Sequence, residues 1–243
     1  MPLCELINMK VDIVAFGPHP DDVELFSGGT VHRMNMLGHT SAIVDLTRGE
    51  LGTRGTPAGR KREARDAARI LGVETRENLD LPDGNIENNV DDRVKVVTVL
   101  REYRPTIVLA PPPVARHPDH ARAAELIRDA CYLAGLAKID TGQERFVPRK
   151  VLHYYEHLFS DVPDVVVDIT ESFGEKMSAI RAHKSQFYRP KQRGSQTYLS
   201  RKGYLEEVEA RSRFFGSLIG VKYGEPFKVE GPVPVGDPAA LWR

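Results

Sequence analysis

A chain of 243 residues has room for one α/β domain with a substantial core and is short for two. Its 34 Lys and Arg are matched by 34 Asp and Glu, so no net charge draws it to nucleic acid or an anionic membrane, and a small-molecule partner fits better. Cys4 and Cys131 lie far apart with no CxxC pair, which argues against a disulfide framework or a thiolate zinc site. No signal-like N-terminus and no apolar run near the roughly 20 residues needed to span a bilayer are present, so a cytoplasmic protein is expected.

In chain order, Val11–Phe16 is a buried-strand pattern that stops at Gly17-Pro18-His19-Pro20, where two prolines force a turn. A helix over Gly29–Leu37, a strand over Ser41–Leu46 and a long polar loop from Thr47 to Gly59 follow. Arg60–Leu71 has helical spacing with Gly72 as its C-cap, and its charge run Arg60–Arg65 reads as a solvated helix face. Next come a strand near Asn78–Leu81, a Pro82-Asp83-Gly84 turn, a helix over Asp92–Tyr103 and the apolar strand Thr106–Ala110. Ala121–Leu136 reads as a helix, Val151–Tyr155 and Val165–Ile169 as strands, and Thr170–His183 and Gly203–Leu218 as helices. The alternation predicts a single Rossmann-like α/β domain, mostly parallel, with helices on both faces. Its core is expected over about residues 11–219, and the Pro/Gly-rich tail after Tyr223 is expected on the surface or against another subunit. In such folds ligands bind beyond the carboxyl ends of the strands.

Two histidine motifs fall at that edge. His19-Pro20-Asp21-Asp22 follows the first strand, and His117-Pro118-Asp119-His120 follows the strand ending at Ala110. Two imidazoles and one carboxylate form a donor set for a divalent metal that keeps a position open for water. Ferrous iron accepts the same set, so the donors alone leave Zn2+ and Fe2+ open. Hydrolysis also needs a base and an oxyanion stabiliser, and the motifs contain spare residues for both. Asp21 and Asp22 diverge in an extended turn, so one can bind metal while the other accepts a proton. His32 and His39 are expected in surface or packing roles; His153 and His157, around a strand end, could line the pocket but are expected in structural roles. No GxGxxG follows the first strand, which argues against a nicotinamide cofactor.

The paired HPDD and HPDH motifs, roughly 100 residues apart, resemble the PIG-L/LmbE family of zinc N-acetylglucosaminyl deacetylases. The segments Asp45–Thr56, Asn78–Gly84 and His183-Lys184-Ser185-Gln186-Phe187 are similar to the bacillithiol-biosynthesis branch, and the likeness runs from about Val11 to Phe215. It implies His19, Asp22 and His120 as metal ligands, Asp21 as general base, and His117, oriented by Asp119, as oxyanion stabiliser. Arg54 is the expected holder of a substrate hydroxyl or carboxylate, with Arg48 and Glu50 as neighbours able to share that role. Pro18 stands where many relatives have alanine, which stiffens the turn without removing a needed donor. The implied substrate is N-acetylglucosaminyl malate, with another N-acyl sugar or thiol conjugate as the alternative. A binding or metal-sensing protein without turnover is the third reading, and intact Asp21 and His117 argue against it. The resemblance further implies a homo-oligomer, trimer or hexamer.

Overall fold

The computed structural model describes residues 9–157, 161–188, 190 and 194–237. Among the described residues seven strands form one sheet: β1 (Ile13–Gly17), β2 (Ser41–Thr47), β3 (Thr75–Leu81), β4 (Ile107–Ala110), β5 (Lys150–Tyr154), β6 (Val165–Asp168) and β7 (Gly224–Val229). Their order is β3-β2-β1-β4-β5-β7-β6. The first five are parallel, and β7 runs antiparallel to both neighbours. The order reverses between β1 and β4, which opens a crevice beyond their carboxyl ends.

Among the described residues seven α-helices cover the faces: α1 (Asp22–Phe26), α2 (Gly28–Met36), α3 (Pro57–Leu71), α4 (Val90–Tyr103), α5 (Pro118–Leu133), α6 (Phe173–Ala182) and α7 (Tyr204–Ser217). Alternation along β1 sends Val14 and Phe16 into one core with Val96, Leu100 and Leu126. Ile13 and Ala15 enter the other with Val23, Leu71, Tyr154 and Ile180. A strand buried on both faces has to be apolar throughout, as this one is.

The helix ends follow local chemistry. Thr56 accepts from Gly59 N at 3.1 Å with Pro57 in the first turn, and α3 ends at Gly72 with φ 70°. Asn89 caps α4 through Asp92 N at 2.9 Å. His117 caps α5, with Pro118 at the first helical position.

Two expectations need correction. Gly224–Val229 is not a surface tail: it is β7, inserted between β5 and β6, so the sheet extends past residue 219. Pro226 and two charged residues hid this strand from a composition-based reading, and its pairing partners lie far away in sequence. The charge run from Arg60 is not wholly solvated either, because Arg60 is buried with Ala64, Ala67, Ala68 and Leu71 on the inward stripe of α3. Cys131 is buried and free, and Cys4 lies outside the described residues. Among the described residues no helix is long and apolar enough to cross a membrane.

Candidate metal centre and catalytic site

The loop after β1 and the start of α5 converge at the crevice. His19 Nδ1 lies 3.2 Å from Asp22 Oδ2, His120 Nε2 lies 3.3 Å from that oxygen, and the two imidazole nitrogens are 3.3 Å apart. A tetrahedral zinc with bonds of about 2.0–2.1 Å has ligand atoms about 3.3–3.4 Å apart, so this triangle fits the ion without rearrangement. Each imidazole turns its other nitrogen to carboxylates: His19 Nε2 to Asp83 at 3.1 Å and Asp119 at 3.3 Å, His120 Nδ1 to Glu156. Such partners fix the tautomer and orient metal-ligating histidines.

A second set of donors, His19, His117 and Asp119, also lies close together. It fits less well. His117 Nδ1 already accepts from Asp119 N at 3.2 Å, and Asp119 Oδ2 accepts from Gly84 N at 2.7 Å. Because Nδ1 is an acceptor, the proton of neutral His117 sits on Nε2. Burial, followed by the charges of His19 and His120, lowers the His117 pKa, which favours this neutral donor form.

Electrostatics of the site favour a cation. Burial opposes protonation of His19, yet hydrogen bonds to Asp119, Asp22 and Asp83 outweigh it and raise its pKa well above the usual imidazole value. Burial likewise opposes ionisation of Asp22, but His120 and His19 hold its carboxyl well below the usual range. Five carboxylates, from Asp21, Asp22, Asp83, Asp119 and Glu156, surround this cluster. A divalent ion in the triangle would offset that concentration of negative charge.

Asp21 does not join the triangle. Its φ of 145° turns the chain so that Oδ1 lies 3.2 Å from Arg60, while buried Oδ2 has no partner among the described residues. Burial raises its pKa to about 6, with Arg60 working in the opposite direction. One oxygen is thus anchored and the other is free to take a proton.

These residues line a cavity of about 470 Å³. Leu51, Gly52 and Thr53 form one part of its wall, and Arg116, His157, Tyr198 and Leu199 another. The Arg116 guanidinium lies 4.3 Å from the centre of the Tyr198 ring.

Residues 14–131 match the family described as PIG-L, GlcNAc-PI de-N-acetylase. The diacetylchitobiose deacetylase of Thermococcus kodakarensis is 31% identical, over 91% of this chain and 84% of its own. The chain belongs to the PIG-L family. A Bacillus cereus protein named as a probable N-acetyl-alpha-D-glucosaminyl L-malate deacetylase 2 is 26% identical, over 73% of this chain and 84% of its own. The crystal structure of a conserved protein from Thermus thermophilus superposes with a TM-score of 0.82 at 38% identity, covering 93% of this chain and 96% of that one.

In this PIG-L deacetylase, Arg54 stands apart from the cavity lining. Its Nε donates to Ser185 O at 2.9 Å and an Nη donates to Ser195 O at 3.1 Å, so it ties loops together. Arg60 instead reaches the site, donating to Gly49 O at 3.1 Å and Pro20 O at 3.0 Å as well as to Asp21. A side chain at Gly49, which has φ 63°, would occupy the space of that guanidinium. His157 lines the cavity and also packs against the rings of Phe26, Tyr198 and Tyr204, whereas His153 braces Pro111 O at 2.6 Å and Glu230 at 2.8 Å.

Asp83 and Glu156 join the site without having been singled out. Beneath it lies a further buried network: Arg76 of β3 holds both oxygens of Asp45 at 2.8 Å and pairs with Glu24 of α1, two residues after Asp22. That anchor matters because α1 has only five residues and no side-chain cap.

The free Asp21 oxygen must be ionised to act as a base, so activity declines as pH falls through its pKa. A bound cation would move that titration downward from about 6. A pH profile of kcat/KM on the zinc-loaded protein is therefore expected to lose activity at or below about pH 6, and Arg60→Met to move that limb upward. A wild-type limb at pH 7 or above, or no shift in the variant, contradicts this assignment.

Proposed function

We propose that the chain is a zinc-dependent N-deacetylase of small N-acetylglucosaminyl conjugates, with N-acetylglucosaminyl malate of bacillithiol biosynthesis as its substrate. The observation that carries the reading is the His19–Asp22–His120 triangle, with edges of 3.2–3.3 Å, beside a buried carboxylate oxygen that has no described partner. Zinc held there would polarise the acetamide carbonyl and lower the pKa of water to about 7.

The chain's own groups do the rest. Asp21 Oδ2 takes the proton from the attacking water while Arg60 holds Oδ1 in place. His117 donates its Nε2 proton as a hydrogen bond to the carbonyl oxygen as negative charge grows there, and its Nδ1 is held by the Asp119 backbone. As the C–N bond breaks, the proton on Asp21 passes to the amine nitrogen, and acetate and free amine leave.

Arg116 supports an anionic aglycone. It is exposed at the cavity, braced on Tyr198, and forms no ion pair among the described residues. The Thermococcus kodakarensis relative favours a second reading, a neutral N-acetylated disaccharide. Acetate release measured side by side from N-acetylglucosaminyl malate, N,N'-diacetylchitobiose and free N-acetylglucosamine separates the two. The malate conjugate is expected to have the highest kcat/KM, with much of its advantage lost in Arg116→Ala. Preference for the disaccharide, unaffected by Arg116→Ala, selects the second reading.

A further inference from the structure

The segment His183–Phe187 has one member at the cavity, Gln186, which is 8% exposed. Its amide orientation is fixed by a chain of obligatory roles. Glu63 of α3, as a carboxylate, only accepts, and it takes the Ser185 hydroxyl at 2.7 Å and the Ser185 N–H at 2.8 Å. With its proton committed, Ser185 Oγ accepts from Gln186 Nε2 at 2.8 Å. The other Nε2 proton goes to Arg54 O at 2.8 Å, an atom that can only accept. Gly55, at φ 80°, permits this packing, because a Cβ there would stand 2.6 Å from Ser185 Oγ. Both amide hydrogens are spent, and Oε1 is left as a pure acceptor with no donor among the described residues.

We propose that Gln186 is a specificity-determining residue whose Oε1 accepts a hydrogen bond from a hydroxyl group of the bound glycoside. The inference rests on the proposed function for the nature of the substrate, and adds how the cavity reads it. An acceptor locked in place on a residue only 8% exposed penalises a ligand that cannot fill it.

The test compares kcat/KM for an N-acetylglucosaminyl substrate and its monodeoxy analogues in wild type, Gln186→Met and Gln186→Glu. In wild type, one deoxy analogue is expected to fall by about 10- to 100-fold. Gln186→Met should lose a similar factor on the parent, with little further loss on that analogue. Gln186→Glu keeps an acceptor but cannot donate to Arg54 O or Ser185 Oγ, so it should still penalise the same analogue. A purely structural role would scale all substrates alike, and equal deoxy penalties in wild type and Gln186→Met overturn the inference. If wild type releases acetate from no N-acetyl sugar, the proposed function fails and takes this inference with it. Acetate release with unchanged deoxy penalties overturns the inference alone.

Discussion

His120→Ala is expected to lose stoichiometric zinc, whereas His117→Ala keeps it. The first substitution removes one corner of a triangle whose three edges match a tetrahedral site. It also strands Glu156, which faces the opposite nitrogen of His120. Loss of a single orienting partner typically costs about 10–100-fold in metal affinity, and loss of a ligand should exceed that. His117 has a different attachment, since its Nδ1 caps α5 and the residue lies outside the His19–Asp22–His120 triangle. Zinc per chain after dialysis, together with competition against a chelating dye, reads the difference. Retention by His120→Ala with loss in His117→Ala would point instead to the donor set of His19, His117 and Asp119.

Asp21→Asn should lower kcat/KM by about 10²–10⁴-fold while zinc stays bound. Asparagine preserves the shape of the side chain at this position, where φ is 145°. It cannot accept a proton as a carboxylate can. Because Asp21 lies outside the His19–Asp22–His120 triangle, metal content and rate should separate cleanly. A variant that keeps rates within tenfold of wild type removes Asp21 from the base role, and one that loses zinc makes it a ligand.

Much of this site was legible in the sequence because the motifs are local. HPDD follows β1 and HPDH follows β4, the two strands between which the sheet order reverses, so a sequential pattern translated directly into a shared crevice. The arginines were not legible in the same way. Arg54 sits in the glycine-rich loop where a substrate contact was expected, but the loop's own tertiary partners claim it. Arg60 looked like the start of a charged face, although its spacing to Ala64, Ala67 and Leu71 puts it on the buried stripe. Periodicity held the signal, and charge masked it. Glu156 and Asp83 depend on how the ends of β5 and the turn after β3 approach β1, which no local pattern encodes. Strand β7 was missed for a related reason, since its pairing with β5 and β6 is set by tertiary context.

Amide hydrolysis by this chain is expected to depend on a metal in the His19–Asp22–His120 triangle, with Asp21 as base. The most direct test is acetate release from an N-acetylglucosaminyl substrate by one preparation in three states: as purified, stripped by a chelator, and restored with one equivalent of zinc. Activity should vanish on stripping, return on restoration, and remain absent in zinc-restored His120→Ala. Full acetate release by the stripped protein, with metal content confirmed as zero, would contradict that dependence.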